Sequence, residues 1–155
     1  MAGRIEARLK ELGIELPQPA APVAAYVPYT ISGKTLYVSG QVTVWNGERR
    51  FLGKVGKDFS VEEGKQAARL CGLNLLAQAR AACDGDLDRV VRCLKLGGFV
   101  NAGPDFHDHP QVINGASELM VEVLGDAGRH ARFAVGASSL PLNVAVEVDA
   151  VFELA

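Results

Sequence analysis

The stretch HARFAVGASSLPLNVAVEVDAVFEL, His130 to Leu154, contains the clearest strand pattern of the chain. Every even-numbered residue from Val144 to Leu154 is apolar, whereas the odd-numbered residues between them include Glu147, Asp149 and Glu153. Side chains alternate between the two faces of a strand, so one face of this strand is predicted to be buried and the other half polar. A half-polar sheet face fits a subunit interface with a wet cleft.

The same stretch predicts two consecutive strands, Ala131 to Ala137 and Val144 to Leu154, joined by a turn around Leu140-Pro141. An antiparallel register centred on that turn places Arg132 opposite Asp149 and diagonal to Glu147, with all three side chains on one face. A cross-strand salt bridge is one interpretation, and such pairs are common and carry no function. The other is a carboxylate-binding site, where an arginine fork grips a small acid and a glutamate activates water.

Upstream, the chain alternates between strand and helix patterns. Ser60 and Glu63 form a capping-box pattern at the start of a long apolar-faced helix, which Asp84-Gly85 ends. A second helix is predicted from His109-Pro110 to Gly125. The remaining predicted elements are an N-terminal amphipathic helix within residues 1–16, a three-strand meander (Ala25 to Ile31, Thr35 to Val44, Arg49 to Leu52) and a strand from Val90 to Val100.

This order of elements predicts an α+β fold with one mixed sheet and two main helices on a single face. A length of 155 residues fits one domain covering residues 1–155. The apolar side chains on the sheet face without helices need to be buried by another surface. We therefore expect a subunit interface there.

Composition narrows the classes of partner. A net charge of -2 provides no field that would collect nucleic acid or anionic lipid, so neither nucleic acid nor membrane is expected as a partner. The three cysteines (Cys71, Cys83 and Cys93) lack metal or disulfide spacing and are predicted to be reduced core residues. The N-terminus has charges where a signal peptide needs an apolar run, which favours a cytoplasmic location.

Two other motifs resemble known site patterns only loosely. His107-Asp108-His109 places its histidines too close together for a typical metal site, and we interpret it as a loop and helix start. Gly53 to Lys57 lacks the spacing of a phosphate loop and is predicted to be a polar turn. No metal site or cofactor is therefore predicted from the residues.

The closing stretch resembles the signature of the RidA/YjgF family, in which an arginine precedes a strand, a Leu-Pro turn and a Val-Glu strand. Tyr26 and the Val-Ser-Gly-Gln run from Val38 to Gln41 are similar to motifs of the family's first strands. Asn114 falls where the family commonly has asparagine. The N-terminal helix and the loop from Pro104 to His109 resemble additions of a longer-chain subgroup once named endoribonuclease L-PSP.

This resemblance implies a chorismate-mutase-like α+β fold assembled as a homotrimeric barrel with a cleft at each subunit interface. It implies hydrolytic deamination of reactive enamine and imine acids such as 2-aminoacrylate, without metal or organic cofactor. Arg132 would bind the substrate carboxylate and Glu147 would position water. The residues that would shape the pocket are Tyr26, Ser39, Gly40, Asn114 and Ala134.

One of these positions departs from the family pattern. Ala134 stands where the best-known members carry cysteine, which permits a backbone contact there but removes any role for a thiol. A non-catalytic trimer that binds small carboxylates is the alternative function. Ribonuclease activity fits less well, because the chain lacks a basic surface interleaved with aromatic residues.

Overall fold

The computed structural model describes residues 3–21 and 24–155. Met1 and Ala2, which belong to the predicted N-terminal extension, lie outside the described residues. Within the described ranges the helices and strands are α1 (Arg4–Glu11), β1 (Tyr29–Ser32), β2 (Thr35–Gln41), β3 (Val44–Trp45), β4 (Glu48–Arg49), α2 (Val61–Ala82), β5 (Val90–Asn101), α3 (His109–Leu124), β6 (Ala131–Ala137) and β7 (Val146–Leu154).

A mixed sheet with the strand order β1-β2-β7-β5-β6 forms the framework. Its neighbours are antiparallel except β5 and β6, which run parallel and are connected through α3. Helices α2 and α3 pack on each other, and they contact β2, β7, β5 and β6. The predicted α+β fold, with both main helices on one side of a mixed sheet, is confirmed.

The alternation predicted for the closing strand is also confirmed. Val146, Val148, Ala150, Phe152 and Leu154 are all buried, whereas the residues between them are half-buried or exposed. The buried row faces the helices and joins a continuous core with Leu96 and Val100 of β5 and Ile113 and Leu119 of α3. The odd-numbered residues of β7 consequently face the open side of the sheet.

The predicted pairing of the last two strands is wrong. Strand β6 does not form a hairpin with β7, because β5 lies between them and pairs with both. The other edge of β7 is occupied by β2. Strand β5 is an interior strand of the sheet. The crossover through α3 places the next strand, β6, parallel to it.

The predicted three-strand meander is likewise wrong in its third strand. Strands β3 and β4 form a separate small hairpin around Asn46-Gly47, both of which have positive φ angles. The side-chain amide of Asn74 in α2 donates to the Val44 carbonyl (2.7 Å) and ties this hairpin to the helix layer. Strand β4 therefore pairs with β3 and does not extend the five-stranded sheet.

The N-terminal helix α1 is fixed to the body of the molecule. Ile5 and Leu9 are buried, and the Arg8 Nε donates to the Glu122 carbonyl (2.9 Å). The Asp88 carboxylate accepts hydrogen bonds from the backbone amides of Arg4 and Ile5 (2.8 Å each). This carboxylate satisfies amides that the first turn of a helix leaves without partners.

The cysteines match the sequence prediction. Cys71, Cys83 and Cys93 are buried and free. Burial raises the pKa of the Cys93 thiol to about 12. No helix within residues 3–21 and 24–155 is both long and apolar enough to cross a membrane.

Candidate active site

Arg132 lies on the edge strand β6, and its side chain points towards α3. Its Nη1 donates to the Asn114 Oδ1 (2.8 Å) and to the Ser117 Oγ (3.2 Å), both of which are neutral acceptors. Among the described residues, no ion pair involves Arg132. The guanidinium borders an open cavity of about 560 Å³, where its charge can meet an anion.

The predicted proximity of Arg132 to the carboxylates of β7 is wrong. Arg132 is in register with Leu96 on β5, and Leu96 is in register with Ala150 on β7. The side chains of these three residues point to the helix-facing side of the sheet. Those of Glu147 and Asp149 point to the opposite side. A cross-strand salt bridge within one chain is therefore excluded by the register.

Glu147 borders a second cavity, of about 410 Å³, which Tyr26 and Gly40 also line. Burial raises the pKa of the Glu147 carboxyl, and the nearby negative charge of Asp149 raises it further. In the described part of the chain Glu147 forms no ion pair. A half-buried carboxylate with a raised pKa can hold a water molecule and exchange a proton with it.

A β-bulge brings the Ser39-Gly40 backbone next to Glu147. Val38 pairs with Ala150 and Gln41 pairs with Val148, so β2 carries one extra residue along this part of the ladder. A Cβ at position 40 would collide with the Glu147 carboxylate. An alanine at position 40 would therefore displace the Glu147 carboxylate.

Ser39 fixes the segment that carries Tyr26. Its hydroxyl donates to the Val27 carbonyl (2.9 Å), and its backbone amide donates to the Pro28 carbonyl (2.9 Å). Tyr26 is 53% exposed, and it lines the cavity beside Glu147. Ser39 therefore supports the position of Tyr26 through hydrogen bonds to the backbone of this segment.

The predicted site residues thus fall into two groups within one chain. Tyr26, Ser39, Gly40 and Glu147 form the first group, which we call the glutamate half-site. Arg132 and Asn114 form the second, the arginine half-site. Ala134 is in register with Gly98 and packs against the core, so its side chain belongs to neither group.

Sequence reasoning missed two residues of the arginine half-site, Ser117 and His130. Ser117 Oγ lies 2.8 Å from His130 Nε2, and His130 Nδ1 lies 2.6 Å from the Gly128 carbonyl oxygen. Ser117 follows Asn114 by three positions, which places both on one face of α3. His130 precedes Arg132 by two positions, and this spacing was the available signal for it.

The other motifs hold structural positions. His109 begins α3 and packs edge-on against Phe106, with ring centroids 5.3 Å apart. Lys54 donates through Nζ to the buried Asn101 Oδ1 (2.8 Å) and to the Ser138 carbonyl. In residues 3–21 and 24–155, no cluster of three or more histidine, cysteine or acidic side chains has the arrangement of a metal site.

The mixed sheet and its helix layer define an α+β protein of the chorismate mutase-like class. The family model described as YjgF/chorismate mutase-like matches residues 6–154, and the chain belongs to this family. The predicted RidA/YjgF relationship is thereby confirmed.

Three relatives cover nearly the whole chain. Protein TCP17 of Trypanosoma cruzi is 49% identical over 99% of this chain and 96% of its own length. Protein Atu1372 of Agrobacterium tumefaciens, of unknown function, is 52% identical, with a TM-score of 0.91 over 97% of this chain and 92% of its own. A Shewanella oneidensis MR-1 protein of known crystal structure is 39% identical, with a TM-score of 0.94 over 98% of this chain and 100% of its own.

Proposed function

We propose that this protein hydrolyses small enamine or imine acids such as 2-aminoacrylate to a 2-oxo acid and ammonia. The observation that carries the proposal is the Arg132 guanidinium, which borders a cavity and has only neutral hydrogen-bond partners among the described residues. Arginine offers two parallel N–H groups that match a carboxylate. Arg132 accordingly binds the substrate carboxylate.

The chemistry then requires one positioned water molecule. The enamine first takes a proton at carbon to give the imine, whose C=N carbon is electrophilic. Glu147 holds the attacking water and accepts its proton as the C–O bond forms. As the C–O bond forms, the π electrons of the C=N bond move to nitrogen, which takes up a proton, and a carbinolamine results. Nitrogen then takes a second proton, the C–N bond breaks with its electron pair on nitrogen, and the hydroxyl loses its proton as the C=O bond forms. Ammonia and the 2-oxo acid are the products. This sequence requires no metal or organic cofactor.

Both half-sites must serve one substrate, although a single chain keeps them apart. Arg132 and Glu147 are two strands apart, roughly 10 Å across the sheet, and point to opposite faces. We propose that a cyclic homotrimer joins the arginine half-site of one copy to the glutamate half-site of the next. The open sheet face supports this, because it exposes the apolar side chains of Tyr37, Phe99 and Val135.

Arg132→Ala tests the proposal directly. We expect the variant to lose ammonia release from freshly generated 2-aminoacrylate, because the substrate carboxylate loses its anchor. Arg89→Ala is the matched control. Arg89 is a half-exposed arginine just before β5, seven residues before Leu96, the residue in register with Arg132, so it is distant from both half-sites. The assay compares initial rates of ammonia release, and scattering measures the assembly of each variant.

The outcomes separate the candidate functions. Unchanged turnover in Arg132→Ala would refute the role of Arg132. Saturable binding of 2-oxobutyrate by the wild-type protein, with binding strongly weakened but still measurable in Arg132→Ala and no hydrolysis in either, would support the carboxylate-binding alternative.

A further inference from the structure

Two side chains contact the Arg132 guanidinium on the α3 side of the sheet, and a third supports one of them. Asn114 and Ser117 accept from its Nη1, and Ser117 in turn contacts the ring of His130. His130 ends in a contact with the Gly128 carbonyl. This series of contacts thus links the Arg132 guanidinium to the backbone carbonyl of Gly128.

The Gly128 carbonyl oxygen sets the direction of the hydrogen bonds in this series of contacts. A carbonyl oxygen can only accept, so His130 Nδ1 carries the hydrogen and donates it to Gly128. In the neutral ring Nε2 is then an acceptor, and the Ser117 hydroxyl donates to it (2.8 Å). With its hydrogen committed to His130, Ser117 Oγ presents a lone pair to Arg132 (3.2 Å).

The electrostatic surroundings agree with a neutral imidazole. Burial lowers the pKa of His130, and the positive charge of Arg132 lowers it further, against the opposing effect of the Gly128 carbonyl. A neutral ring keeps the bond directions fixed as described.

We infer that Ser117 and His130 are positioning residues that orient Arg132 for the substrate carboxylate. The inference rests on the proposed function and extends it to two residues outside the predicted site. Asn114 fixes the same nitrogen from a second direction. Holding Nη1 in this way leaves the remaining N–H groups of the guanidinium for the ligand.

The serine-histidine pair does not have the surroundings of an acyl-transfer site. Ser117 lies within α3, where the backbone amides are committed to the helix and cannot stabilise an oxyanion. Its oxygen already accepts from Arg132 and its hydrogen is committed to His130. Positioning of Arg132 is the role that uses all of these contacts.

The test compares Ser117→Ala with the conservative Ser117→Thr, and His130→Ala with His130→Gln. We expect the two alanine variants to weaken 2-oxobutyrate binding about 10-fold, because each loses a hydrogen bond that supports a charged group. Threonine keeps the hydroxyl and glutamine keeps an acceptor, so both should retain most of the affinity. Ser32→Ala, an exposed serine in the β1–β2 hairpin, is the matched control.

Two further readouts distinguish positioning from general destabilisation. In deamination assays KM should rise while kcat changes little, since the carboxylate is bound in both ground and transition states. In the Arg132→Ala background, adding Ser117→Ala should weaken binding no further, because Ser117 acts only through Arg132.

Each remaining outcome contradicts the inference. If wild-type protein binds or turns over substrate and Ser117→Ala behaves identically, the positioning role is wrong while the proposed function stands. If Ser117→Ala weakens binding equally with and without Arg132, the serine does not act through the arginine. If wild-type protein neither binds 2-oxobutyrate nor releases ammonia, the proposed function fails and the positioning role fails with it.

Discussion

At the scale of single residues, the placement of Glu147 depends on a glycine in the neighbouring strand. The Ser39-Gly40 bulge brings bare backbone against the carboxylate, and any Cβ at position 40 would occupy the same space. The carboxylate is therefore held over the backbone, in a cavity that also contains Tyr26. Bulges of this kind commonly redirect side chains beside functional sites.

Gly40→Ala should displace the Glu147 carboxylate and reduce kcat for deamination. A misplacement of about 1 Å can cost about 100-fold in rate, so we expect a loss of that order. Gly103→Ala is the matched control, because a Cβ there has open space. Full activity in Gly40→Ala, with the fold unchanged by circular dichroism, would show that Glu147 does not position the water.

Arg132 and Glu147 could be proposed as site residues from sequence because their motif resembles a family signature. Their surroundings could not, since Ser117 and His130 are thirteen positions apart and meet only through packing of α3 against β6. The predicted ion pair failed for a related reason. A sequence gives the alternation of Arg132 and Glu147 along their own strands, but not the register between strands.

At the scale of elements, helix ends and strand faces were predictable because they depend on local chemistry. The capping box of Ser60 and Glu63 starts α2, and β6 spans the predicted residues Ala131–Ala137. Strand neighbours were not predictable, because alternation fixes the buried face and leaves the pairing partner open. The insertion of β5 between β6 and β7 is the consequence.

Asp88 controls how firmly α1 is attached. Hydrogen bonds from the Ile5 and Arg4 amides hold the pKa of Asp88 below its usual value. A carboxyl with a lowered pKa stabilises the folded state above the pKa it has when unfolded. This contribution is lost as the pH falls through the lowered pKa.

Asp88→Ala should therefore reduce the free energy of unfolding by about 1 kcal/mol at neutral pH, as is usual for the loss of a helix cap. The difference between variant and wild type should vanish in acid, where Asp88 is protonated in both states. Urea unfolding at neutral and acidic pH, with exposed Asp105→Ala as control, measures this. A difference that persists unchanged in acid would show that the carboxylate charge is not responsible.

At the scale of the whole molecule, the account depends on bringing the two half-sites together. One chain places the arginine half-site at the β6 edge and the glutamate half-site on β7 and β2, with β5 between them. The exposed apolar side chains on the half-polar open face of the sheet provide surface for association. In the proposed cyclic homotrimer the two half-sites would meet at every boundary, because each copy would present both kinds of surface.

The most direct test is complementation between Arg132→Ala and Glu147→Gln, coexpressed with different tags and purified through both. Each variant alone should be inactive. A mixed trimer contains one boundary where an intact Arg132 meets an intact Glu147, so about one third of the wild-type deaminase activity should return. Mixed trimers that form but remain inactive would contradict a site shared between copies of the chain.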